Sequence, residues 1–283
     1  MAQGAGRGTG AQADGWDDSW FFIIGCQRSG TTLMRLVLEC HSEIECRDEA
    51  ISYGLIAGRR STKRGRPRLG LKVPCLTEQF AAPAIYDVKW IPEIPNGYRN
   101  HPLIFMVRDV RDTVASMLEL KVFGRRWVEA SLGPTIRAKS SREPAFVARY
   151  GALIDSFAQH DDPTVARAAF CWRYKTDALP EYQDLRLPVL MVRYEDLVNQ
   201  PRATLERVCR FLGVGWEPGL LRHARFQHGE LDSDGIAMGG TDASRPIDAT
   251  STGRWRRTFS PAQVSEILAY AGPLQGDLYG TDT

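Results

Sequence analysis

This sequence predicts an α/β domain, a parallel sheet flanked by helices, and three observations predict it. Apolar runs of strand length lead into segments of helical period at residues 21–40, 104–120 and 189–212. The first of these is joined by a loop bounded by Gly25 and Gly30, the G-x-x-x-x-G spacing of a phosphate-binding loop. At 283 residues and 43% hydrophobic content, with no internal repeat, the chain suits one large domain.

Charge and composition exclude several classes. Lys and Arg total 36 against 34 Asp and Glu, for a net charge of +2, which argues against a dedicated nucleic-acid binder but permits a local basic cleft. The cysteines, Cys26, Cys40, Cys46, Cys75, Cys171 and Cys209, form no C-x-x-C pair, so reduced thiols and a cytoplasmic location are expected. Without a His/Cys cluster at ligand spacing, no metal site is expected. No apolar run reaches bilayer length and no signal peptide is evident. Residues 1–19 read as a disordered leader anchored by Trp16 and Trp20, and residues 20–283 as the domain. Oligomeric state is unreadable.

Taken in order, Phe21, Phe22, Ile23 and Ile24 make a buried strand, and Leu33, Leu36, Val37 and Cys40 share one face of the helix after the loop. The loop turns the free N–H groups of that helix toward one spot, where the dipole favours an anion. A nucleotide P-loop continues with Lys and then Ser or Thr, but here Thr31 and Thr32 follow Gly30, and the cation is Arg28, beside Ser29. Next, HSEIECRDEA carries Glu43, Glu45, Asp48 and Glu49 into a turn. The basic stretch 59–68 reads as a solvated loop, with docking of an acidic acceptor as the alternative. LGLKVP reads as a short strand ending at Lys72 and Pro74. Prolines 83, 92, 95 and 102 leave at most one short strand, around Ile85 to Trp90.

The second strand-to-helix unit places Arg108 at the junction and Asp109 as the helix cap, with Asp112 three residues on. Val110, Val114, Met117 and Leu118 supply its buried stripe, and Ser116 follows Arg108 by eight residues. Residues 121–185 are helical and hold Trp127, Tyr150, Phe157, Phe170, Trp172 and Tyr174, either core or pocket lining. LPVLMVRYEDL is an apolar strand ending in Tyr194-Glu195-Asp196, and Pro201 opens an amphipathic helix. Residues 213–253 lack periodicity, as a functional loop or lid does. Ser260, Pro261 and Gln263 form a capping-box start for the last helix.

The string R-S-G-T-T after a strand resembles the 5′-phosphosulfate loop of sulfotransferases that use 3′-phosphoadenosine 5′-phosphosulfate (PAPS), and R-S-G-T-T-L-M-R is similar to the tyrosylprotein branch. The resemblance implies a sulfotransferase fold and transfer of a sulfonate from PAPS, without a metal, to a hydroxyl of a carbohydrate, glycolipid, metabolite or peptide tyrosine. It implies that Arg28, Ser29, Gly30, Thr31 and Thr32 hold the 5′-phosphosulfate and that Arg108 and Ser116 hold the 3′-phosphate. By spacing it makes Glu49 the base, with Asp48 as competitor, and it gives Lys72 to the leaving oxygen; no histidine stands near Lys72. It sets Tyr194 against the adenine and Arg254 on a cofactor phosphate, with Arg256 and Arg257 as alternatives. Two rivals remain: a P-loop kinase or NTPase using Asp109 with magnesium, and a binding module acting through residues 59–68.

Overall fold

A computed structural model describes residues 19–58, 65–80, 100–122, 124–237 and 239–280. Its centre is a five-stranded sheet built from β1 (Trp20–Gly25), β2 (Ile44–Arg47), β3 (Arg68–Lys72), β4 (Leu103–Val107) and β7 (Val189–Arg193), in the order β2-β3-β1-β4-β7. All four pairings are parallel, with Ile23 opposite Lys72 on one side and Ile104 on the other. The order reverses at β1: the chain goes outward to β2, returns through β3, and only then crosses to β4. A crevice therefore opens beyond the carboxyl ends of β1 and β4, where the loops leave in opposite directions.

Alternation along the strands sorts the core into two layers. Phe22, Ile24, Leu71, Phe105 and Val107 face one side, packing with Val114 and Met117 of α3 (Val110–Glu119), Phe170 and Trp172 of α6 (Thr164–Thr176), and Ile267 of α11 (Pro261–Ala271). Phe21, Ile23, Ile104 and Met106 face the other, against Met34 and Val37 of α1 (Thr31–Glu39) and Leu205 and Val208 of α9 (Pro201–Leu212). The period-two pattern of a strand buried on both faces makes this two-layer cover necessary. The remaining helices are α2 (Glu49–Ile56), α4 (Gly133–Arg142), α5 (Pro144–Asp155), α7 (Ala178–Asp184), α8 (Tyr194–Asn199), α10 (Trp255–Thr258) and α12 (Pro273–Tyr279). Two small hairpins, β5 (Lys121–Val122) with β6 (Arg125–Arg126) and β8 (Ile236–Ala237) with β9 (Thr241–Asp242), complete the described strands, and short 3-10 or π turns span Pro74–Phe80, Val128–Leu132, Ser156–Gln159 and Pro218–Arg225.

The expected helix caps are present. Asp109 accepts from the Arg111 N–H, and Ser260 and Gln263 form a reciprocal capping box. Several expectations are corrected. HSEIECRDEA holds a strand as well as a turn, because Ile44 and Cys46 point into the core while their neighbours do not. The strand before Tyr194 stops at Arg193, and Tyr194 begins a helix. Leu36 does not share the sheet-facing side of α1; it packs instead on Ala237 and Ala243. Of the basic stretch, residues 59–64 lie outside the described residues, and Arg66 is no solvated side chain, since it donates to the carbonyls of Glu39, His41 and Ile44. The leader up to residue 18 and the segment Ile85 to Trp90 also lie outside the described residues.

Candidate active site

The loop after β1 is shaped by backbone geometry. Gly25 and Gly30 have φ of 130° and 97°, and a Cβ on Gly25 would stand 2.2 Å from the Met106 carbonyl oxygen, so only glycine fits. Gly30 caps α1 without a side-chain acceptor, which leaves the first N–H groups of the helix facing the crevice. Arg28 itself is left-handed at φ 72°, throwing its guanidinium across the crevice: Nε donates to Ser116 Oγ at 2.9 Å, and a second nitrogen donates to the Gly239 carbonyl. Burial, with the Arg108 guanidinium next, lowers the Arg28 pKa to about 10.

Arg108, at the end of β4, donates to the Arg28 carbonyl at 3.2 Å and to that of Ser251, and its guanidinium lies 4.4 Å from the centre of the Tyr194 ring. Its own carbonyl accepts from Trp172 Nε1 at 2.8 Å, so the α6 core fixes the strand end. Asp112 accepts the N–H groups of Gly253 and Trp255 at 2.6 and 3.0 Å, which draws the 251–255 segment, Arg254 included, over the crevice. Arg254 pairs with Glu119.

On the other wall, Glu49 opens α2 directly after its cap Asp48. Lys72, 1% exposed, reaches Asp48 Oδ1 at 2.7 Å, Glu49 Oε1 at 3.0 Å and Thr32 Oγ1 at 2.9 Å. Burial alone would lower the Lys72 pKa; Glu49 and then Asp48 outweigh it and hold the ammonium above the usual lysine range. Tyr53 donates to the second Glu49 oxygen at 3.2 Å. Arg28, Gly30, Thr31, Thr32, Glu49, Arg108, Ser116, Tyr194 and Arg254 all line one cleft of about 970 Å³.

Six residues singled out in the sequence stand off that lining: Ser29, Asp48, Lys72, Asp109, Arg256 and Arg257. Ser29 is fully buried and its hydroxyl donates to the Cys26 carbonyl at 2.6 Å, so it shapes the loop. Lys72 lies beneath Thr32 and Glu49, and Asp48 is spent on capping α2 and binding Lys72. Asp109 is likewise occupied: Arg111 holds both its carboxylate oxygens, at 3.1 and 2.7 Å, and Gln275 donates to one at 3.1 Å. That arrangement disfavours the magnesium-binding rival. Among the described aromatics of 121–185, only Trp127 lines the cleft; Tyr150, Phe157, Phe170, Trp172 and Tyr174 are core. Gln27, Cys75 and Glu119 also line the cleft without having been singled out; Gln27 and Glu119 arrive beside Arg28 and Ser116 on the same loop and helix, and the Gly239–Gly240 turn of the 213–253 stretch arrives by long-range folding.

A family model described as the sulfotransferase family matches residues 21–83 and 72–218. The putative protein-tyrosine sulfotransferase of Caenorhabditis briggsae is 23% identical over 266 residues, covering 87% of this chain and 84% of that protein. Protein-tyrosine sulfotransferase 2 of Gallus gallus is 25% identical over 280 residues, covering 89% and 67%. The fold matches mouse sulfotransferase SULT7A1, solved with PAP, at a TM-score of 0.54 and 15% identity over 92% of this chain and 86% of that one. It also matches the sulfotransferase domain of the Synechococcus PCC 7002 olefin synthase at a TM-score of 0.51 and 18% identity, over 89% and 94%. With the model spanning well over half its length, the chain belongs to the sulfotransferase family and is an enzyme that transfers a sulfonate group to an acceptor hydroxyl.

Proposed function

We propose that the donor is PAPS and that the cleft holds it in one orientation. The observation that carries this is the meeting of two anion-binding pieces from separate strand ends, the 25–32 loop and Arg108 with Ser116, joined by the Arg28 to Ser116 hydrogen bond at 2.9 Å. The helix N–H groups, Arg28, Thr31 and Thr32 would take the 5′-phosphosulfate, while Arg108, Ser116 and Arg254 take the 3′-phosphate. Tyr194 offers its ring face to the adenine. The 15% exposed Glu49 carboxylate reaches the cleft with Lys72 beneath it.

In the reaction, Glu49 accepts the acceptor's hydroxyl proton as the oxygen attacks sulfur, and the bond from sulfur to the bridging phosphate oxygen breaks. Negative charge then gathers on that oxygen, where Arg28, the α1 N–H groups and the Lys72 and Thr32 pair stabilise it. The proton ends on Glu49, which returns it to solvent, the sulfonate ends on the acceptor oxygen and the electron pair on the phosphate oxygen, so no redox partner is needed. The acceptor is read as a phenolic hydroxyl, a peptide tyrosine first. The named relatives support this, and Leu120, Val122, Trp127 and Pro74 add apolar surface to the cleft lining. A cytoplasmic setting belongs to the same proposal and rests on the six free cysteines.

Isothermal titration with 3′-phosphoadenosine 5′-phosphate (PAP), beside ATP and in chelator, tests the donor. Arg108→Ala is expected to weaken PAP binding about 10- to 100-fold, the worth of a charge-assisted hydrogen bond or two. No binding by folded wild-type protein, or a preference for magnesium-ATP, would overturn the reading.

A further inference from the structure

Residues 228–237 and 239–243 cross the site without belonging to the sheet or its covering helices, and they are tied down at four places. His228 Nδ1 meets Glu39 Oε2 at 2.9 Å at the far end of α1. Leu231, Ala237 and Ala243 pack on Leu36 in the middle of that helix. The Gly239 carbonyl accepts from Arg28 at its start. The remaining tie departs from α1: Glu230 Oε2 accepts the backbone N–H of Asp48 at 2.7 Å, and Oε1 accepts from Arg47 at 3.3 Å.

Asp48 is the cap of α2, and Glu49 is the first residue of that helix. Glu230 thus holds the Arg47–Asp48 peptide, one residue ahead of the proposed base, from a segment that also touches the loop arginine. The backbone of Glu230 is left-handed at φ 59°, a conformation that disfavours a side chain. Its side chain is 17% exposed, and burial pushes its carboxyl up, against the pull of the Asp48 N–H and Arg47. A strained, half-buried carboxylate persists where its bonds over-determine it. Here those bonds all go to the turn that aims Glu49.

The geometry points to Glu230 as a positioning residue for sulfonate transfer: its carboxylate pins the Asp48 N–H and so sets Glu49 at its distance from the 25–32 loop. The inference rests on the reading of Glu49 as the base. General-base catalysis depends on the carboxylate standing within hydrogen-bond reach of the acceptor oxygen, and a displacement of an ångström is enough to forfeit it. Glutamine keeps an acceptor for the Asp48 N–H, whereas alanine removes it.

Steady-state kinetics with PAPS and a tyrosine peptide, PAP titration, and amide hydrogen exchange on the full chain test this together. Glu230→Ala is expected to lower kcat about tenfold or more while the KM for PAPS and the PAP affinity stay within about twofold, and Glu230→Gln to recover kcat to within about threefold of wild type. Exchange at residues 48–53 should quicken in the alanine variant and not at residues 31–39. Wild-type kcat in folded Glu230→Ala, or equal losses in kcat and PAP affinity, would overturn the assignment, as would a glutamine variant no better than alanine. If Glu230→Ala does not fold, the glutamine variant decides, because its kcat must stay near wild type. Wild-type protein that binds PAP yet transfers nothing to the peptide counts against the acceptor reading alone; exchange then decides for Glu230, and unchanged protection of residues 48–53 overturns it.

Discussion

Lys72→Met isolates the buried charge at the centre of the site. Lys72 is 1% exposed and stands 2.7 Å from Asp48 and 3.0 Å from Glu49, with Asp48 itself only 3% exposed. Methionine keeps most of the volume and removes the ammonium, so two neighbouring carboxylates lose the cation between them. Breaking a buried ion pair from one side costs about 3–5 kcal/mol, chiefly because of the charge left behind. For a chain of this size that is a fall in melting temperature of about 6–15 °C, readable by circular dichroism at pH 7. Salt should scarcely change it, since a buried pair is little screened. Adding Asp48→Asn should recover part of the loss, with a coupling of about 1–3 kcal/mol in a double-mutant cycle. Lys72→Met melting within about 2 °C of wild type would refute the reasoning, because an ammonium so placed cannot be removed without cost unless water already reaches it.

Two further predictions follow from geometry. Gly30→Ala must hold φ 97° and place a Cβ 2.6 Å from Tyr194 Cδ2, so backbone strain and overpacking together should cost about 2–5 kcal/mol and abolish PAP binding; a folded variant with wild-type PAP affinity would count against the loop as the phosphate site. His223 is 1% exposed with neither ring nitrogen hydrogen-bonded, and burial, then His228, lowers its pKa from 6.5 to about 4. Between those values the unfolded chain binds more protons than the folded one, so stability is complete above about pH 6.5 and falls as pH drops toward 4. Melting temperatures of His223→Phe across that range should be flatter than those of wild type; parallel profiles would refute it.

The chemistry of single strand ends was legible in the sequence because it is local. A Gly25-to-Gly30 loop after an apolar strand has few conformations, and they aim helix N–H groups at one point. Arg108, at the next strand-to-helix junction, and the Ser260 cap are read by the same logic. Glu49 and Lys72 came from the resemblance to sulfotransferases, since a carboxylate in a turn and a lysine at a strand end have no distinctive pattern of their own.

Whatever depends on contacts far apart in the chain was decided by tertiary structure. Ile44–Arg47 is too short to declare itself a strand until β3 lies beside it. Ser29 turned inward because the loop's own carbonyl needed a donor, and Lys72 sank beneath Glu49 because β3 pairs with β1 in the register that sets Lys72 opposite Ile23. The 228–243 segment has no periodicity to read, and its grip on Asp48 and Arg28 exists only across separations of 182 and 211 residues. Local spacing thus marked the loop and the strand-end arginine that are proposed to bind anions. Strand order and loop docking, which a linear pattern does not encode, decided how those side chains come to share one cleft with Glu49.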